Sequence, residues 1–139
     1  MSTAARCLYL DTSAVLRAVL ESGTSLQLEA RIATASALVT SRLSTVEGAR
    51  AIHRLRATRQ LAETKLADAE WEIAAVWRRC ELWEITARVC ETAQHVARSR
   101  PLRTLDALHL ATFLLARETI AGLELLTSDQ RLRDAADAL

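Results

Sequence analysis

Three glycines and one proline are all that punctuate the 139 residues of this chain. Tight hairpins depend on residues that tolerate left-handed or pre-bent backbone, so the scarcity excludes a fold built from consecutive antiparallel hairpins. It leaves helix as the default state. The composition agrees, with 50% apolar residues, only 4% aromatics and an abundance of Ala, Leu, Arg and Glu, all good helix formers. A core must therefore be assembled from Leu, Ala, Val and Ile. The length fits one domain over residues 1–139 and is too short for two well-cored ones. Disorder and collagen-like repeats are excluded by the same numbers.

Short apolar runs nevertheless break the helical pattern at regular intervals. Residues 7–10 read as a buried strand ending at Asp11. Thr12 or Ser13 is positioned to cap a helix that Gly23 stops, and a second helix covers 25–35. Residues 37–40 read as the next strand. Ser44 or Thr45 would open a helix reaching a break at Gln60 and Leu61, followed by a long helix to about Cys80. Residues 82–85 form a third strand, and Thr86 caps a helix over 87–99. After Pro101, Thr104 caps an apolar helix closed by Gly122; strand 123–126 and helix 129–138 complete the chain. Strands alternating with helices imply right-handed crossovers and a parallel sheet. The class is α/β.

Bulk charge names no partner, since 18 basic residues face 17 acidic ones. Its distribution is more informative. Lys65 is the sole lysine, and the arginines gather: Arg42, Arg50, Arg54, Arg56 and Arg59 stand against Glu47 alone over residues 42–59. Arg98, Arg100 and Arg103 form a second acid-free group. A coding bias explains the arginine excess equally well, but a segregated basic strip can present itself to nucleic acid. Cys7, Cys80 and Cys90 are odd in number and lack metal or redox spacing, so they read as buried free thiols in a reduced, cytoplasmic setting. No membrane span or signal peptide is visible. Trp71, Trp77 and Trp83 do not share one face, and His53 and His95 have no partner at ligand spacing. No glycine-rich phosphate loop exists, which excludes the common nucleotide-binding readings.

Four acids stand apart by position. Asp11 directly follows the first strand, and Asp129 follows the fourth after Thr127 and Ser128. Glu47 and Asp106 lie near the starts of their helices, at the same end of the sheet. Ligands of open parallel sheets bind beyond the carboxyl ends of the strands. Each acid alone could be a helix cap or a dipole partner. Four converging carboxylates instead repel one another, a conflict that a hard divalent cation resolves. Mg²⁺ or Mn²⁺ held there could ionise a water and neutralise charge on a phosphodiester. His109, three residues after Asp106, suits packing or orientation better than catalysis.

The segments Leu-Tyr-Leu-Asp-Thr-Ser-Ala (8–14), Arg-Thr-Leu-Asp-Ala-Leu-His-Leu-Ala (103–111) and Leu-Thr-Ser-Asp-Gln-Arg-Leu (126–132), with Glu47 between them, resemble the PIN-domain ribonucleases. The match is nearest to the VapC-type toxins of toxin–antitoxin modules and covers nearly the whole chain. The resemblance implies an α/β/α sandwich with about four parallel strands and about seven helices. It implies a Mg²⁺- or Mn²⁺-dependent endoribonuclease with Asp11, Glu47, Asp106 and Asp129 as catalytic acids, of which Asp11, Asp106 and Asp129 hold metal. Ser13 and Thr127 match supporting hydroxyl positions. Implied partners are RNA, a VapB-like antitoxin and a second copy of the chain. The antitoxin is expected on the helices of 12–35 and 45–58, and RNA phosphates on Arg50 and Arg54. Many relatives add a fifth, edge strand beyond the point matching Leu139. A PIN-like module that binds RNA or protein without cleaving it is the alternative.

Overall fold

The structure, a computed structural model, describes residues 6–139. The reading that no leader is present falls mainly on residues 1–5, outside the described residues. Strand β1 (Cys7–Leu10) leads through helices α1 (Thr12–Leu20) and α2 (Leu26–Thr34) to β2 (Ala37–Ser41). Helices α3 (Arg42–Thr58) and α4 (Glu63–Arg79) then precede β3 (Cys80–Trp83). Helices α5 (Ala87–His95) and α6 (Thr104–Thr119), strand β4 (Glu124–Leu126) and helix α7 (Gln130–Asp137) finish the fold. All strand pairs are parallel, in the order β3-β2-β1-β4.

Strand alternation sorts the core into two layers. Leu8 and Leu10 of β1 and Leu38 of β2 pack with Val15, Ile32, Ile52, Leu66 and Ile73 from α1 to α4. Their neighbours Tyr9 and Val39 face the opposite side, against Leu110, Phe113 and Ala116 of α6 and Leu132 and Ala135 of α7. The sheet is thus covered on both faces, as parallel sheets require. Leu10, Leu110 and Leu132 are fully buried, each contributing about 1.5–3 kcal/mol of hydrophobic stabilisation.

Several boundaries differ from the sequence expectation, and each has a local cause. Asp11, not Thr12 or Ser13, caps α1, because its Oδ1 accepts the Ala14 N–H at 3.0 Å. Helix α3 begins earlier than expected. Ser41 caps it, while Ser44 is buried and shares a 2.7 Å hydrogen bond with Thr40. Thr104 is the first residue of α6 and caps nothing; Arg103 holds the cap position. Strand β3 spans 80–83 because pairing with β2 sets its register from Leu38↔Cys80 to Ser41↔Trp83. The Thr86 N–H then donates to the Glu84 carbonyl and turns the chain out of the ladder. Helix α5 stops at His95, where Ala97 adopts φ +48°. The three thiols are free, but Cys90 is exposed and Cys7 and Cys80 are half-buried. The expectation of buried thiols fails because α5 buries Val89 and leaves Cys90 facing outward. Trp71 is 70% exposed, whereas Trp77 and Trp83 pack on opposite core layers.

Candidate active site

All four acids lie at the carboxyl end of the sheet. Asp11 follows β1 and is 3% exposed. Its carboxylate accepts Ser13 Oγ at 2.8 and 2.9 Å, Thr127 Oγ1 at 2.6 Å and the Ala14 amide at 3.0 Å. Thr127 reaches it because β4 pairs with β1 in a register that sets Leu10 against Leu126. Burial raises the Asp11 pKa above the ordinary carboxylate value even though these donors oppose the shift. Asp129 caps α7, accepting the amides of Arg131 and Leu132. Asp106 is the third residue of α6. Its pKa is also raised, by burial first and then by the charge of Asp129, with smaller pushes from Asp11 and Glu47. The four carboxylates therefore share one electrostatic field.

Glu47, one turn into α3, is held by a buried chain. Thr12 donates to Glu47 Oε1 at 2.7 Å, and His109 Nε2 lies 2.6 Å from the same oxygen. The other ring nitrogen of His109 sits 2.8 Å from the Tyr9 hydroxyl. Burial pushes the Tyr9 phenol well above its ordinary pKa. A carboxylate can only accept, so the ring N–H lies on Nε2 and points at Glu47, which leaves Nδ1 to accept the Tyr9 O–H. Partial burial favours neutral Glu47, but His109, Thr12 and the charge of Arg54 outweigh that and bring its pKa below the usual value. Glu47 is consequently a stable anion beside two acids that resist ionisation.

The basic strip of α3 is less available than its sequence suggests. Arg42 is bonded to Glu84 and Arg56 to Glu63 and Glu70. Arg50 and Arg54 are exposed, and Arg54 acts on Glu47 through its charge. Arg98 contacts His95 at 3.1 Å in the second basic group.

Among the described residues, no three His, Cys, Asp or Glu side chains close into a ready cage for one ion. The donors nonetheless fit a hydrated hard cation: they are carboxylate oxygens with excess negative charge, and Mg²⁺ uses one or two carboxylates while retaining waters. Sequence reasoning overlooked Tyr9 as an orienting group and read Thr12 only as a cap. A hydroxyl inside an otherwise apolar strand was the signal that Tyr9 needed a buried partner.

A PIN-domain family model matches residues 8–138. Ribonuclease VapC49 of Mycobacterium tuberculosis strain H37Rv is 35% identical over 131 residues, covering 94% of this chain and 89% of that protein. The crystal structure of M. tuberculosis VapC20, described as a sarcin–ricin loop cleaving toxin, superposes with a TM-score of 0.62 at 18% identity. That similarity covers 92% of this chain and 94% of VapC20. VapBC2 from Rickettsia felis, solved with a promoter DNA fragment, gives a TM-score of 0.59 at 13% identity over 88% of this chain and 99% of that one.

Proposed function

The chain belongs to the PIN-domain family, and from that premise we propose that it is the ribonuclease toxin of a toxin–antitoxin pair. The observation that carries this is the field shared by Asp11, Glu47, Asp106 and Asp129 at one sheet end. Asp11, Asp106 and Asp129 would hold Mg²⁺ or Mn²⁺. When bound, the ion would supply an activated water and neutralise charge developing on an RNA phosphodiester. Ser13 and Thr127 keep the Asp11 carboxylate in one orientation. Glu47, fixed by His109 and Thr12, would orient the attacking water. Arg50 and Arg54 would grip the phosphate backbone without reading bases.

A VapB-like antitoxin is the proposed partner, inserting a cationic side chain among the acids. The large apolar side chains exposed on the expected helices are Leu26 of α2 and Val46 of α3, which offer it a docking surface. A homodimer in the cytoplasm completes the proposal; no helix among the described residues is long and apolar enough to cross a membrane. The test is cleavage-site mapping on total cellular RNA with and without Mg²⁺, using wild type, Asp11→Asn and Asp106→Asn. Discrete metal-dependent cuts lost in both variants are expected. Equal cleavage by wild type and variants would strip the acids of a catalytic role, and no cleavage by any form would favour a silent binding module.

A further inference from the structure

A cavity of about 490 Å³ opens beside the acidic site, between the α1–α2 loop and the segment after β4. Its volume lies in the range that takes a small ligand. Thr127 and Ser128 form the shared wall: Thr127 Oγ1 contacts Asp11, and the Ser128 amide donates to Ser13 Oγ at 3.2 Å. Among the described residues lining the cavity, the charged ones are Arg17 and Arg133, and Glu29 stands behind the wall, accepting the Gly23 amide at 3.0 Å. Arg133 donates to the Thr127 carbonyl, which fixes its guanidinium against the site wall. Arg17 leans on Glu21 at 3.6 Å with both side chains more than half exposed, a contact too long and wet to hold it firmly. Leu26, 70% exposed, and Leu28 add apolar surface from the start of α2.

A cationic, hydroxyl-lined hollow with an apolar lip matches a nucleotide: anionic phosphate on one side, a flat base on the other. Strand β2, which leads into α3 with Arg50 and Arg54, and strand β4, which leads to this cavity, lie on opposite sides of β1 and Asp11, so a strand laid across the sheet end from α3 would run toward the cavity. We propose that the cavity seats the nucleotide flanking the cleaved phosphodiester, with Arg17 and Arg133 on its phosphate and Leu26 against its base. This rests on the ribonuclease assignment above and extends it to residues that no motif marks. Phosphate contacts fix register, so the cavity sets where the strand lies relative to the acids without touching the reacting atoms.

The experiment compares Arg17→Gln, Arg133→Gln and the double variant, each in wild-type and Asp106→Asn backgrounds. A ten-residue single-stranded RNA spanning a mapped cut serves as probe, and thermal melts verify folding. In the Asp106→Asn background each substitution should weaken binding about tenfold, the loss of one charge-assisted contact. The double variant should flatten the plot of log affinity against log salt by about 0.7, one single-strand phosphate contact. With Asp106 intact, KM should rise while kcat holds. Arg133→Lys, which keeps the charge, should recover part of the affinity. Unchanged affinity and salt slope in the folded double variant would overturn the proposal while leaving the ribonuclease assignment standing. A double variant that cleaves normally but escapes inhibition by its antitoxin would reassign the cavity to that protein. Failure of the wild type to cleave or bind any RNA would remove both.

Discussion

Replacing Tyr9 by Phe removes one oxygen atom and tests whether Glu47 is positioned through a buried chain. Tyr9 is 0% exposed, and its hydroxyl is the partner of His109 Nδ1 at 2.8 Å. His109 is itself buried, so no bulk water replaces the lost donor. An unsatisfied buried acceptor costs about 1–3 kcal/mol, and the Phe ring otherwise fits the Tyr9 site without a cavity. The expected loss is about 2 kcal/mol, equivalent to a fall in Tm of roughly 6–10 °C for a chain of this size. Urea melts at several pH values add a signature. Glu47 has a folded pKa below its ordinary 4.5, so its contribution is present above the unfolded value and is lost as pH falls through the folded one. Without the tyrosine to hold Nδ1 as acceptor, His109 no longer presents Nε2–H to Glu47 in one fixed geometry, and that pKa moves upward. The destabilisation should therefore be larger at pH 7 than at acid pH. Combining Tyr9→Phe with Glu47→Gln should give less than the sum of the single losses, by at least about 0.5 kcal/mol, because both act on His109. A Tyr9→Phe loss below about 0.5 kcal/mol, or strict additivity with Glu47→Gln, would refute the chain.

Asp106→Asn should raise the Tm of the metal-free protein at neutral pH, because burial and the Asp129 charge already disfavour its anion, and millimolar Mg²⁺, expected to raise the wild-type Tm, should not raise that of the variant further. Scanning fluorimetry with and without Mg²⁺ reads both effects, and an Mg²⁺ response identical to wild type would take Asp106 out of the metal site. Ala97→Gly should stabilise the protein by about 0.5–1 kcal/mol in urea melts, since Ala97 holds φ +48° and glycine removes that strain. Maleimide labelling followed by mass spectrometry should modify Cys90 first and Cys80 last, because Cys90 is exposed while burial pushes the Cys80 thiol up to about 12.

The order of elements was readable because period and punctuation agree along this chain. Leu8, Tyr9 and Leu10 form an apolar run too short for a helix, and both of its faces find a helical layer to cover them. Strand ends were less legible. Nothing local distinguishes residues 80–83 from 82–85; the choice is made by β2, whose Leu38 pairs with Cys80. Thr86 caps α5 as expected, accepting the Val89 amide, but the other caps failed for a related reason. Sequence offers Thr12, Ser13, Ser44 and Thr104 as helix starters, yet none of these four hydroxyls caps its helix: Thr12, Ser13 and Ser44 bond elsewhere, and Thr104 lies inside the helix. A capping preference is worth about 1 kcal/mol, and at Thr12 and Ser13 it yields to Asp11, which caps the helix while accepting the Ser13 and Thr127 hydroxyls.

The acids were legible for a different reason, and the same reason hides their supports. A parallel sheet gathers whatever follows each strand at one end, so Asp11 and Asp129 could be placed from strand positions alone. Glu47 and Asp106 followed from the starts of the next helices. The groups that tune these acids obey no such rule. Tyr9 and His109 meet across 100 positions, and Thr127 reaches Asp11 across 116; each pairing depends on how helix α6 or strand β4 packs, not on spacing along the chain. Arg133 is the sharpest case. In sequence it is one more arginine on a polar helix, but α7 starts at the cap Asp129 and returns Arg133 to the Thr127 carbonyl. That return places a cation on the wall shared with Asp11, where it can act on a substrate without neutralising the carboxylates that a metal would need.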